Sequence, residues 1–217
     1  MKTNITEVAF ILDRSGSMSG LEEDTIGGFN ALLAKQKAQA GEVIVSTILF
    51  DDKYELLHDR FDIKKVKPIT QDDYYVRGST ALLDAIGMTI HRLGNVQKHA
   101  LESQKADKVI IVITTDGMEN ASHFYNYHQI QEMIARQKER FGWEFIFLGA
   151  NIDAIATAAS FGIDADHSSN FHADKQGMGK TFDSMSEFIV NSREGKEFNK
   201  HWKLNVEADF NDRDKEN

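Results

Sequence analysis

The run Lys108-Val-Ile-Ile-Val-Ile-Thr-Thr115 constrains the fold more than any other stretch of this chain. Its residues are β-branched and almost wholly apolar, without the polar alternation of a strand that faces water. A strand of this kind must be covered on both faces, which points to a parallel sheet held between helices. Two more apolar runs share its character, 7–13 and 143–150, and 42–50 reads as another strand. The turn Asp51-Asp52-Lys53 then leads directly into 54–61. So short a connection implies an antiparallel hairpin, placing 54–61 at a sheet edge. Residues 167–171 read as a last, short edge strand.

Between the strands, apolar residues recur at helical spacing. Ile26, Phe29, Leu32 and Leu33 mark a helix over 21–40; Leu82, Leu83, Ile86 and Ile90 mark one over 81–93. Ile130, Met133 and Ile134 mark a helix over 127–140, and Phe182, Met185, Phe188 and Ile189 mark one over 179–191 that closes the fold. A short alanine-rich helix is expected at 154–161, and the polar stretch 95–107 continues the helical layer. Gly27-Gly28 weakens its helix by roughly 1 kcal/mol per glycine relative to alanine, which close packing on a sheet would explain. Residues 62–76, with the only proline, Pro68, are the least regular. Strands alternating with helices predict an α/β fold: a doubly wound, mostly parallel sheet with one antiparallel edge strand and helices on both faces. The expected domain is 1–202, with 203–217 a polar, frayed tail.

Composition narrows the function classes. Twenty-five Lys and Arg against 34 Asp and Glu give a net charge of −9, which argues against nucleic acid or an anionic membrane as partner. Without cysteine there are no disulfides and no thiolate metal sites. The amino terminus leads into the first strand without a signal-peptide apolar region, and no run approaches membrane-spanning length. These features predict a soluble, cytoplasmic protein.

The chemistry concentrates where the first strand ends, in Asp13-Arg14-Ser15-Gly16-Ser17. Alternate side chains of extended chain leave on one side, so Asp13, Ser15 and Ser17 can address one point. Asp116, ending the strand at 108–115, and Thr80, opening the helix at 81–93, add a carboxylate and a hydroxyl from two other loops. An all-oxygen set of this kind suits a hard cation, Mg²⁺ better than zinc. Directly bound hydroxyls with water-bridged carboxylates would leave such a cation electrophilic and open to an anionic oxygen from another molecule.

In these residues the chain resembles the von Willebrand factor type A domains that carry a metal-ion-dependent adhesion site. The family's Asp-x-Ser-x-Ser matches Asp13, Ser15 and Ser17; its isolated threonine matches Thr80 in Gly78-Ser79-Thr80-Ala81-Leu82; its aspartate after a hydrophobic strand matches Asp116. Order and spacing agree over residues 5–195. The resemblance implies a Rossmann-like fold, metal ligands Asp13, Ser15, Ser17, Thr80 and Asp116, and a bound Mg²⁺, with Mn²⁺ or Ca²⁺ as substitutes. It further implies a protein partner that offers an Asp or Glu carboxylate to the metal, and it permits a free-standing adaptor or a regulatory subunit of an assembly.

The competing reading is a Mg²⁺-dependent hydrolase on a similar sheet. Haloacid-dehalogenase-like phosphatases place a second aspartate two residues after the first, where this chain has Ser15. There is no phosphate-binding Gly-x-x-x-x-Gly-Lys-Ser/Thr loop and no Gly-x-Ser-x-Gly elbow; Gly177-Met178-Gly179-Lys180 is only a glycine pair. Glu119 and His123 are the remaining acid–base candidates, and loop or helix-start residues, with Asn120 or Ser122 as cap, are the simpler account. The pairs His123/His128 and His167/His172 lack the i, i+4 spacing of a zinc pair. Arg14 should leave on the opposite side from the ligands into a salt bridge, and Asp84 is a candidate brace rather than a ligand. Glu22-Glu23-Asp24 reads as an acidic first helical turn.

Overall fold

The structure is a computed structural model and describes residues 4–215. A six-stranded sheet runs in the order β3-β2-β1-β4-β5-β6. Its strands are β1 (Ile5–Asp13), β2 (Glu42–Phe50), β3 (Tyr54–Asp62), β4 (Lys108–Thr115), β5 (Glu144–Gly149) and β6 (Ser168–Asn170). All neighbours pair parallel except β2 and β3, which form the expected antiparallel hairpin at the edge.

The unbroken apolar strands are explained by two cores. Val8, Phe10 and Leu12 of β1 and Ile110 and Val112 of β4 point into one; Ala9 and Ile11, with Val109, Ile111 and Ile113, point into the other. The first core is closed by α1 (Glu22–Lys37), α5 (Lys175–Arg193) and α6 (Leu204–Asp214). The second is closed by α2 (Leu82–His99), α3 (Tyr127–Phe141) and α4 (Ala154–Ser160). Helix α2 takes in much of the polar stretch after Leu93, and a single 3₁₀ turn, Glu102–Gln104, completes the layer. Helix α3 has the capping box that its sequence permits: Asn126 accepts from Gln129 N, and the Gln129 side chain accepts from Asn126 N.

Three expectations need correction. Neither of the paired glycines of α1 marks packing on the sheet. A Cβ at Gly28 would fall 2.2 Å from Phe182 of α5, whereas one at Gly27 would meet nothing. Helix α5 begins at Lys175 rather than 179, because Asp174 caps it through Gly177 N at 2.9 Å. The glycine pair 177/179 therefore lies within the helix, and Gly177 makes room for the backbone of His172, whose O would stand 2.0 Å from a Cβ there. Most consequentially, the stretch expected as a frayed tail is the helix α6; its last residues, 216–217, lie outside the described residues. A few anchors outweigh its mean polarity. Trp202 and Val206 are buried in the first core, and Trp202 Nε1 donates to Asp166 O at 3.1 Å. The buried Lys203 ammonium donates to Ala165 O at 2.7 Å and Ser168 O at 3.0 Å and pairs with Glu207 at 2.8 Å. Arg213 pairs with Asp174, clamping α6 to the start of α5.

Candidate metal centre

The chain runs from β1 to β2 and β3 on one side, then returns to place β4, β5 and β6 on the other. Ligand sites of open α/β sheets form at the carboxyl ends of strands where the order reverses in this way. Asp13 is the last residue of β1, and Asp116 follows the last residue of the adjacent β4. The topology thus brings the two carboxylates together above the reversal.

Backbone hydrogen bonds join the three loops. Gly16 N donates to Gly78 O at 3.1 Å and Arg77 N to Arg14 O at 2.9 Å, tying the first loop to the one bearing Thr80. Asn120 N and Ala121 N both donate to Thr80 O, at 3.0 and 3.2 Å, tying that loop to the one after β4. The Asn120 side chain accepts from Thr80 N at 2.9 Å. The serine hydroxyls lie side by side, Ser15 Oγ 3.0 Å from Ser17 Oγ. A Cβ at Gly117 would stand 2.9 Å from Ser17 Oγ and 3.1 Å from Thr80 Oγ1. Both hydroxyls therefore converge on the Asp116-Gly117 turn, and the glycine leaves them room. All five sequence-predicted residues meet at one place.

The two carboxylates are held differently. Asp13 is 1 % exposed; its Oδ1 accepts from Ser15 N at 2.7 Å and its Oδ2 from Thr115 Oγ1 at 2.5 Å. Burial raises its pKa to about 6 against these hydrogen bonds, and the Asp116 charge adds to the rise. Asp116 is 2 % exposed, and among the described residues neither of its buried oxygens accepts a hydrogen bond. Burial raises its pKa also, with the nearby Ser17 hydroxyl offsetting part of the effect. A buried carboxylate with so little hydrogen bonding costs several kcal/mol unless protonated or neutralised by a cation. The residues present therefore fit a hard divalent cation: two carboxylates, one with both oxygens free, and three hydroxyls.

Arg14 turns away from these five residues, as expected, into a buried ion-pair cluster. Asp51 Oδ2 accepts from Arg14 Nε at 2.9 Å and from Arg77 Nε at 2.7 Å, while Arg14 Nη2 reaches Glu55 at 2.6 Å. Burial alone would raise the Asp51 pKa, but Arg77, the Lys53 N–H and Arg14 together hold it below the usual carboxylate range. Asp51 O also accepts from Ala81 N at 2.8 Å. Asp51, read from sequence as a turn residue, is thus a hub joining the Asp13 loop, the Thr80 loop and the start of α2.

Glu119, read as an acid–base candidate, and Asp84, read as a brace, form a reciprocal brace between α2 and the loop after β4. Glu119 accepts from Leu83 N at 2.9 Å, Ala121 N at 3.0 Å, and Ser122 N and Oγ, both at 2.7 Å. Asp84 accepts from His123 N, Phe124 N and Tyr125 N at 2.8–2.9 Å. Ser122 Oγ accepts from Asp84 N at 3.0 Å, so it serves α2, and neither it nor Asn120 caps α3. Because Glu119 and Ser122 cap α2, neither Thr80 nor Ser79 has to. Among the described residues no three His, Asp or Glu side chains cluster as a metal-binding group, so the histidine pairs build no second centre.

No protein-family model matches the sequence, and no curated protein matches it either. Solved structures do match, at low identity. A von Willebrand factor type A protein from Catenulispora acidiphila aligns with TM-score 0.58 and 12 % identity, over 86 % of this chain and 42 % of its own. Proximal thread matrix protein 1 from the mussel byssus, with a zinc-occupied MIDAS motif, aligns with TM-score 0.57 and 14 % identity, over 85 % and 45 %. This chain has the von Willebrand factor type A fold. Manganese-loaded TRAP protein from Plasmodium vivax shares it, with TM-score 0.56 and 14 % identity over 84 % of this chain and 74 % of its own. The chain spans less than half the length of the Catenulispora and mussel proteins.

Within the von Willebrand factor type A fold, three contributors to the site escape a reading of the sequence. Thr115 holds Asp13 Oδ2; a hydroxyl at the end of an apolar strand was its signal. Tyr74 donates its phenol to Asp13 O at 2.5 Å from an irregular segment with no periodicity to mark it. Asp51 carries no signal beyond its turn position.

Proposed function

We propose that this chain is a divalent-metal-dependent protein-binding module. Asp13, Ser15, Ser17, Thr80 and Asp116 would hold one hard cation, Mg²⁺ or in its place Mn²⁺ or Ca²⁺. When bound, that cation supplies a Lewis-acidic position for an acidic side chain of a partner protein. The observation carrying this reading is Asp116, whose two buried oxygens accept no hydrogen bond among the described residues while the Ser17 and Thr80 hydroxyls crowd its turn. The zinc- and manganese-bearing proteins of the same fold support a divalent metal without choosing among cations.

Each residue has a defined task. The Thr115 hydroxyl and Ser15 N–H fix the Asp13 carboxylate, and Tyr74 fixes its backbone. The Asp51 cluster keeps the Asp13 and Thr80 loops in register. Two carboxylates balance a divalent charge, so an incoming Asp or Glu meets little repulsion at the site itself. Specificity falls to the rim, where Tyr75, Met118 and Phe124 are exposed at 44 %, 72 % and 76 %. Large exposed apolar side chains beside a polar centre mark interaction surfaces. Of the acid–base candidates read from the sequence, the Glu119 carboxylate is committed to the amides of Leu83, Ala121 and Ser122. The proposed role is an adaptor or regulatory subunit in the cytoplasm. No helix among the described residues is long and apolar enough to cross a membrane.

The test is calorimetric titration of Mg²⁺ and Mn²⁺ into EDTA-stripped protein, beside an Asp13→Ala/Asp116→Ala variant. One saturable site, lost in a folded variant, is expected. Equal binding by both proteins would refute the assignment. Partner capture that persists in excess EDTA would refute the mechanism.

A further inference from the structure

At the end of the sheet opposite the candidate metal centre, a groove of about 750 Å³ opens between α2 and α3. Its base is the start of β4 and the approach to β5. Ile90, Val109, Met133 and Trp143 give it an apolar interior. A space of this size and lining is typical of small-molecule sites.

The charges at its mouth decide what it accepts. Lys98 and Arg136 line the groove, are exposed, and make no ion pair among the described residues. The acidic residue on the lining, Asp107, accepts a hydrogen bond from Asn4 N, and the third cation, Lys105, pairs with Glu102. Buried Glu7, hydrogen-bonded by the lining residue Gln97, is neutralised by Arg60 at 2.6 Å. The lining thus keeps an excess of positive charge, Lys98 and Arg136 against the Asp107 carboxylate, on a chain of net charge −9. Apolar walls select a hydrocarbon or aryl body, and the excess of positive charge favours a carboxylate head over an ammonium.

We infer that the groove between α2 and α3 is a binding site for an amphipathic monocarboxylate, a medium-chain fatty acid or an aryl carboxylic acid. This site is independent of the metal reading and needs no cation. Gly94, on α2, offers a clean means of filling it: a Cβ there would lie 3.6 Å from Gln137 Nε2, an ordinary contact, with a longer side chain entering the groove.

The experiment titrates decanoate, and decyltrimethylammonium as the probe of opposite charge, into the full chain in EDTA. Calorimetry and Trp143 fluorescence report binding; the other tryptophan, Trp202, belongs to the opposite core. One saturable site for decanoate is expected, weakened about tenfold or more by Lys98→Glu/Arg136→Glu and lost in Gly94→Leu. Thermal melts of the variants establish that each is folded, and the exposed charge variant tests the site if the glycine variant is not. Equal binding of both probes, no saturable decanoate binding, or decanoate binding unchanged by both variants overturns the inference. So does concentration-dependent dimerisation abolished by Gly94→Leu, which would make the groove a contact between copies.

Discussion

Replacing Asp13 by Asn should stabilise the metal-free protein at pH 7 and abolish its stabilisation by Mg²⁺. The Asp13 pKa rises from 3.8 to about 6 on folding, chiefly through burial. A raised carboxylate pKa means a contribution that is fully present below about 3.8 and lost as pH rises through about 6. At pH 7 the metal-free fold therefore carries a penalty of about 3 kcal/mol, two pKa units at 1.36 kcal/mol each. At pH 5 the same arithmetic leaves roughly half of it. Asparagine removes the ionisation and keeps the contacts: its oxygen still accepts from Ser15 N, and its amide donates to Thr115 Oγ1, which turns its proton to Gly117 O. For a chain of this length about 3 kcal/mol corresponds to a rise in Tm of roughly 6–12 °C, an upper bound. In Mg²⁺ at about 100 Kd the wild type should recover about 2.7 kcal/mol while the variant recovers none. Thermal melts at pH 7 and pH 5, in EDTA and in Mg²⁺, give four comparisons. Asp13→Asn melting below wild type in EDTA at pH 7 would refute the burial argument. Equal Mg²⁺ shifts in both proteins would refute the ligand assignment.

Asp51→Asn leaves the Arg14 and Arg77 guanidiniums without their shared buried carboxylate, and should cost about 3–5 kcal/mol by denaturant titration. It should also weaken Mg²⁺ binding in calorimetry, although Asp51 is not a proposed ligand; unchanged affinity would mean the hub does not position the loops. Gly117→Ala sets a Cβ 2.9 Å from Ser17 Oγ and 3.1 Å from Thr80 Oγ1, so Mg²⁺ affinity should fall with a Tm change under a few degrees. Trp202→Ala, just before α6, should cost about 3–5 kcal/mol, and hydrogen exchange should show faster amides in α5 and β6; no change in either would mean that this anchor does not hold α6 to the core.

Where burial dictates a residue's type over a whole element, the sequence was readable. The apolar runs of β1, β4 and β5 and the hairpin at Asp51-Asp52-Lys53 led to the sheet, and Asp13, Ser15, Ser17, Thr80 and Asp116 meet where its order reverses. What stayed hidden is whatever depends on one long-range contact. α6 is mostly polar, and its docking rests on Trp202, Lys203, Val206 and Arg213, each satisfied by a residue of another element. No window of local composition registers a lysine that folds because two carbonyls from the 165–168 turn await it. Asp51 is hidden for the same reason: a turn aspartate and a buried hub look alike until Arg14 and Arg77 are placed on either side of it. This distinction carries over to function. The proposed ligand residues follow strand ends or, like Thr80, open a helix, and can be found by pattern. The groups that hold them, Tyr74, Thr115 and Asp51, need only reach them in space, so variation that tunes metal affinity can enter there while the Asp-x-Ser-x-Ser pattern stays intact.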